Sequence, residues 1–214
     1  MFADNIRTTE YLLSHLPKAP AKIVFASSID VYDRKASDKA ITEATPIQTE
    51  NPYGLSKYFC EKMVQEYCLT HSSHYSIVRI GNIYGPGEFS YSKIIGSLIK
   101  KALANETIEL HGNGSIRRNL FFVDDVCRSV IELMHGTADN VTVNLVSEHN
   151  ISVKEIAETV IESVGSKSKI ALLPNEARDD CFLADLRLRV LPDIKETALK
   201  EGIKLTIEDF KTRL

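Results

Sequence analysis

The sequence predicts an α/β fold built on a parallel sheet, and three observations carry the prediction. Short segments of strand length recur, the continuous apolar run Ile23-Val24-Phe25-Ala26 and the buried-strand pattern of Ser76-Ile77-Val78-Arg79-Ile80. Segments with helical period separate them, and glycine, proline and asparagine punctuate the junctions. Strands that alternate with helices in this way bury a parallel sheet beneath the helices. With 214 residues, 43% of them hydrophobic, the chain can bury one core and carry a small second lobe.

The elements follow in order. Ile6, Leu13 and Leu16 mark the tail of an amphipathic helix closed by Pro17 and Pro20. Ile23 to Ala26 reads as a strand buried on both faces. After a polar loop from Asp33 to Glu50, Asn51-Pro52 opens a helix on which Leu55, Phe59, Met63 and Tyr67 recur every four residues. Ser76 to Ile80 is the next buried strand, and Gly85-Pro86-Gly87 is a turn. Ile94, Ile95, Leu98 and Ile99 mark a further helix. Ile108 to Leu110 and Asn119 to Phe122 are strand candidates. Val126, Val130, Leu133 and Met134 form a helix stopped by Gly136, and Val141 to Val146 is strand-like. Ser152-Val153-Lys154-Glu155 has the form of a capping box, opening a helix that Gly165 ends. Beyond Lys169 the pattern supports only a strand near 169–173 and a helix near the C-terminus.

Composition excludes several classes. A net charge of -3 with 26% charged residues leaves no basic footprint for nucleic acid. The apolar runs fall far short of a membrane span. Met1 to Arg7 lacks the basic region and apolar stretch of a secretory leader. Cys60, Cys68, Cys127 and Cys181 show neither CxxC nor metal-type spacing. The expectation is a protein of the cytoplasm, without a metal, whose thiols are reduced. His71 and His74 read as solvated, Cys60 and Cys68 as packing residues, Asp124-Asp125 as a helix cap, and Gly112-Asn113-Gly114 as a turn.

The stretch Tyr53-Gly54-Leu55-Ser56-Lys57 carries the chemistry. A spacing of four at the start of a helix puts the phenol and the ammonium on one face. A neighbouring cation stabilises a phenolate, which suits Tyr53 to proton transfer. Before it, a buried strand ends in Ser27-Ser28-Ile29-Asp30-Val31-Tyr32, and hydroxyls at that end of a strand sit where open α/β sheets bind ligands. After it come Arg79-Ile80-Gly81-Asn82-Ile83-Tyr84-Gly85-Pro86 and Arg117-Arg118-Asn119-Leu120-Phe121-Phe122-Val123-Asp124.

In these residues the chain resembles the NAD-dependent epimerase/dehydratase family, the extended short-chain dehydrogenases/reductases that include UDP-glucose 4-epimerases. The family's serine pair before V-Y, its N-P-Y-x-x-S-K and its R-x-x-N-x-Y-G-P stand intact and in order, and the resemblance extends over residues 5–165. Its R-D-F-x-x-V-x-D is partial, since Asn119 and Leu120 replace an aspartate and an aromatic. The resemblance implies the C-terminal part of a Rossmann-like parallel sheet with a small α/β substrate-binding lobe. The nucleotide-binding part would comprise 1–87 and 118–146, and the substrate lobe 88–117 and 147–214. It implies Ser28, Tyr53 and Lys57 as catalytic residues, with Tyr53 the acid/base. Ser27, Ser28, Tyr53, Lys57 and Gly81 would contact NAD or NADP, with NAD favoured. Asn5 matches an asparagine of the preceding helix in a divergent context.

Asn82 and Arg118 match residues that hold the diphosphate of a nucleotide-diphosphate sugar, and a guanidinium's forked donors suit phosphate. For Arg118, pairing with Asp124 or Asp125 is the structural alternative. Arg178 matches a second such arginine, although the family's R-P-G-D reads Arg178-Asp179-Asp180 here. Epimerase and reductase both stay open. Dehydration is disfavoured, because Ile29 stands where dehydratases carry an aspartate acid. A non-catalytic binding protein is the reading from another class. No glycine triplet among the ten glycines has the G-x-x-G-x-x-G spacing that cradles a pyrophosphate. A truncated enzyme is therefore expected, one that would associate with itself or with a complementary N-terminal chain.

Overall fold

A computed structural model describes residues 2–32, 40–49, 51–90, 93–174 and 181–213. They divide into two compact units, one formed by 1–81, 126–146 and 183–194, the other by 82–125, 147–182 and 195–214. Residues 82–87 and 118–125 thus fall in the second unit and 183–194 in the first. No helix among the described residues is long and apolar enough to cross a membrane.

The first unit begins with α1 (Phe2–Ser14), β1 (Lys22–Ser28), α2 (Pro52–Thr70) and β2 (His74–Ile80). The second unit then supplies β3 (Asn82–Tyr84), α3 (Ile94–Leu103), β4 (Ile108–His111) and β5 (Arg117–Phe122). From Val126, α4 (Val123–His135) belongs to the first unit, and β6 (Val141–Leu145) follows it. The chain continues through β7 (Asn150–Ser152), α5 (Val153–Val164), β8 (Ile170–Leu173), α6 (Asp185–Val190) and α7 (Leu199–Lys211). Every helix and strand the periodicity marks is present. The short β3, β7 and α6 are additions, because three to six residues are too few to show a period.

In the first unit the sheet runs β1-β2-β6, all parallel, with Ser28 opposite Ile80 at its carboxyl end. β2 is buried from Ser76 to Arg79, as expected of a central strand. β1 departs from expectation: Ile23 to Phe25 are only half-buried and Ala26 is exposed. The cause is position, since among the described residues β1 pairs on one side only and forms the sheet edge. In the second unit, β3-β5-β7 and β4-β8 form two small sheets, parallel except for the antiparallel β5–β7 pair. Helices α3, α5 and α7 close its core around Ile99, Ile108, Ile156, Ile203 and Phe210. Ser152 caps α5 by accepting from the Glu155 amide at 3.1 Å, and Gly165 ends it in the left-handed conformation.

α2 forms where the sequence places it but turns its other side inward. Its buried residues are Gly54, Ser56, Cys60, Glu61, Val64 and Cys68. Leu55 and Phe59, the start of the apolar stripe, are 38% and 50% exposed.

Candidate active site

The start of α2 is set by Asn51, whose side chain accepts from the Tyr53 amide at 2.9 Å, and by Pro52 in the first turn. Gly54 lies against the turn after β1. A methyl group there would sit 2.6 Å from the Asp30 carbonyl carbon, closer still to its oxygen, and 2.9 Å from Thr49 Oγ1. The missing side chain lets the Tyr53 end of α2 approach the Ser28–Asp30 turn. Ser56 donates to the Tyr53 carbonyl at 2.7 Å and accepts from Asn5 Nδ2 at 2.8 Å, so α1 braces the same turn.

Ser28 ends β1, 8% exposed, with its hydroxyl oxygen accepting from the Asp30 amide at 3.2 Å. Tyr53 and Lys57 are half-buried on α2. Lys57 donates to the Ala26 carbonyl at 2.9 Å, and its ammonium lies 5.9 Å from the centre of the Tyr53 ring. An ammonium has three donors, so the bond to Ala26 fixes Lys57 without exhausting it. Lys57 thus stands near the Tyr53 ring and is tied to β1 two residues before Ser28, all within one unit. Gly81 follows β2 and donates to the Leu145 carbonyl at 3.0 Å, where a methyl group would meet Val146 at 2.9 Å.

Ser27 points inward. Its hydroxyl donates at 2.5 Å to Glu61, a fully buried carboxylate on α2. Arg79 of β2 grips the same carboxylate with two nitrogens, at 3.0 and 2.8 Å, and donates its third to the Tyr32 hydroxyl at 2.7 Å. Tyr32 donates in turn to Asn144 Oδ1 of β6 at 2.9 Å. Burial pulls the Arg79 guanidinium down, but the Glu61 carboxylate more than offsets this and holds it above its ordinary value. Burial pushes the Tyr32 phenol up. Periodicity missed this network. Its sequence signal is a charge placed inside each of two buried segments, which must find a partner.

In the second unit, Asn82 and Arg118 line one cavity of about 200 Å³ together with Lys93 and Glu88. Arg118 also lines a cavity of about 230 Å³ with Ser97, Lys101 and His111. Asn82 donates to the Asn119 carbonyl at 3.2 Å, and Arg118 to the Arg117 carbonyl at 3.0 Å. Glu88 is 7% exposed, and neither carboxylate oxygen has a hydrogen-bond partner among the described residues. Arg178 lies outside the described residues.

The departure at Asn119 has a local reason. Its amide donates to Ser147 O, His149 O and Asn150 Oδ1 at 2.9, 3.3 and 3.0 Å, three acceptors that a carboxylate would repel. Asp125, expected as a cap, is 1% exposed in the first turns of α4 and accepts from the Thr197 amide and hydroxyl at 2.8 and 2.9 Å. His71 and His74 are exposed, Cys60 and Cys68 are buried, and no metal-binding cluster occurs among the described residues.

Comparison with known proteins extends the geometry. Residues 1–146 match the model of the NAD dependent epimerase/dehydratase family. The chain is 30% identical to a dTDP-4-dehydro-6-deoxy-D-allose reductase of a Streptomyces species, over 97% of this chain and 67% of that protein. It is 27% identical to the dTDP-D-glucose 4,6-dehydratase of Bos taurus, over 97% of this chain and 61% of that protein. The UDP-glucuronic acid 4-epimerase of Bacillus cereus, solved with UDP-glucuronic acid and NAD, shares the fold at a TM-score of 0.81 and 20% identity. That match covers 98% of this chain and 68% of the epimerase. The chain spans less than two thirds of the length of the first curated relatives it matches, 61% for the dehydratase.

Proposed function

Because the chain belongs to the NAD dependent epimerase/dehydratase family, we propose that it carries the catalytic residues of an NAD(P)-dependent nucleotide-sugar epimerase or oxidoreductase. The observation that carries the reading is the assembly of Ser28, Tyr53 and Lys57 at the carboxyl end of β1 and the start of α2, with Lys57 anchored to Ala26. These residues suit the nicotinamide half of the cofactor: a lysine with donors to spare, a serine hydroxyl, and Gly81 beside the strand end. The G-x-x-G-x-x-G that would hold the pyrophosphate does not occur in these 214 residues. NAD or NADP, when bound, supplies the hydride acceptor. Tyr53 takes the proton of a sugar hydroxyl at its phenol oxygen and returns it in the reverse sense. Lys57 favours the phenolate that accepts this proton, and Ser28 bonds the substrate oxygen and fixes its place.

On the substrate side, Asn82 and Arg118 share a cavity, and Arg118, Lys93 and Lys101 supply the charge a diphosphate needs. Ile29, 3% exposed, brings no acid to the position where dehydratases carry one, which favours epimerisation or reduction. The solved epimerase bound to UDP-glucuronic acid and NAD supports the first, and the 30% identical reductase supports the second. The protein works in the cytoplasm, as a homodimer or with a complementary N-terminal chain.

The test is an assay of the purified protein with UDP- and dTDP-hexoses and NAD(P). Sugar interconversion without net change in NAD(P)H identifies an epimerase, and stoichiometric NAD(P)H consumption on a keto-sugar identifies a reductase. Binding of the sugar nucleotide without turnover, in protein supplied with any complementary chain, would reduce the reading to a non-catalytic binding protein.

A further inference from the structure

We propose that the buried Glu61–Arg79 pair is a positioning device, holding Lys57 and Tyr53 of α2 in register with Ser28 of β1. The proposal rests on the catalytic reading of those three residues. Tyr53, Lys57 and Glu61 follow one another at four-residue intervals, so they lie on one face of α2. Two successive turns of that face grip two successive residues of β1. Lys57 donates to the Ala26 carbonyl at 2.9 Å, and Glu61 accepts from the Ser27 hydroxyl at 2.5 Å. The next residue of the strand is Ser28. Glu61 is itself immobilised by the two-nitrogen fork of Arg79 from the central strand β2, at 3.0 and 2.8 Å. Tyr32 and Asn144 then tie Arg79 to the turn after Ser28 and to β6.

Every member of this chain of bonds is nearly inaccessible: Ser27 4%, Tyr32 2%, Glu61 0%, Arg79 6% and Asn144 0% exposed. Burying a carboxylate and a guanidinium carries a desolvation cost that the pair's attraction offsets only with good geometry, and apolar residues of similar size are often as stable or more so. Stability alone therefore gives no reason for the pair. What an apolar pair cannot provide is direction: the fork fixes the carboxylate's plane, and the carboxylate fixes where β1 meets the helix. Nothing else described on α2 bonds the Ser27 side chain. If the register slipped, Lys57 would leave the Ala26 carbonyl and the Tyr53 oxygen would shift against Ser28.

The same physics separates positioning from mere support. In Ser27→Ala/Glu61→Leu/Arg79→Met the charges and the hydroxyl they serve are removed together, and the Tyr32 hydroxyl keeps its bond to Asn144, so no buried charge is left unpaired and the protein should keep its Tm. The readout is reductive methylation of lysines, resolved by mass spectrometry, with exposed Lys62 on the same helix as internal reference. The expected result is a native Tm with the Lys57-to-Lys62 labelling ratio raised about three-fold or more. In protein that turns over, kcat should fall ~10-fold or more with KM little changed, the signature of lost orientation. Arg79→Lys, which keeps the charge but not the fork, should move both readouts the same way by less, and it stands in if the triple variant does not fold. An unchanged labelling ratio in a folded variant overturns the proposal. Wild-type protein without turnover would count against the enzymatic reading, while the Lys57 labelling would still decide the positioning.

Discussion

Gly54 is the residue on which the geometry of the candidate site most narrowly depends. A methyl group there would lie 2.6 Å from the Asp30 carbonyl carbon, so the start of α2 would have to back away from the turn after Ser28. Gly54→Ala should lower stability by ~1–3 kcal/mol, the scale of overpacking a filled site, and should impair turnover further by moving Tyr53. Denaturant titration and kinetics on one preparation check both, and an unchanged midpoint would contradict the close approach. Glu88 makes the opposite case, a residue that costs stability where it stands. Burial holds its carboxyl above the usual range, with the Lys93 charge pulling the other way. A raised folded value means stability is greatest below the ordinary glutamate value and declines as pH rises through the folded one. Glu88→Gln removes that decline. Its Tm should exceed wild type at pH 8, and the gain should vanish as the pH falls below the ordinary glutamate value.

Elements, rather than single residues, decide what each catalytic side chain meets. Asn51, Pro52, Gly54 and Ser56 all serve the first turn of α2, and that turn presents Tyr53. Tyr53→Phe removes the proton carrier but none of these supports. Turnover should fall ~100-fold or more, the scale for a positioned general acid/base, with an unchanged circular dichroism spectrum; near-wild-type rates would remove the assignment. Arg118 depends on β5 in the same way, since pairing beside β3 places it on the cavity that Asn82 also lines. Arg118→Ala should weaken sugar-nucleotide binding by ~1.5–3 kcal/mol, the range for hydrogen bonds to a charged group. Affinity for NAD should hold. Equal losses for both ligands in calorimetry would reassign the residue.

This is also the scale at which the sequence was most and least legible. Period and caps located every long element, and local spacing alone placed Tyr53 and Lys57 on one face. The face that α2 buries was not legible. Its apolar stripe at Leu55 and Phe59 points outward, and its inner side is small and polar because it must approach β1 closely and accept Arg79 and Ser27. Pairing between Glu61 and Arg79 is a tertiary fact that no window of sequence contains.

At the scale of the whole molecule, what remains is the apolar surface that the fold leaves uncovered on the first unit. Phe2, Leu55 and Phe59 are 38%, 38% and 50% exposed, and Phe2 and Phe59 meet edge to face, their ring centres 6.4 Å apart. Tyr11 and Leu12, on α1, are 62% and 59% exposed. Phe2 and Phe59, in contact across two packed helices, are more than the scatter of single apolar residues that any surface carries. β1 adds a second uncovered feature, a sheet edge paired on one side among the described residues. The two make different demands. Helix faces associate through side chains and are dispersed by a charge, whereas a strand edge associates through backbone amides and is blocked by proline. A polypeptide of residues 1–214 should therefore scatter light as a dimer or larger at tens of micromolar. Phe59→Lys should return it toward the monomer with an unchanged circular dichroism spectrum, because half of the ring already faces water. Val24→Pro should leave the association intact if the helix face carries it. The reverse pattern, dispersal by Val24→Pro alone, would assign the contact to the β1 edge, and a monodisperse wild-type monomer would remove both surfaces from consideration.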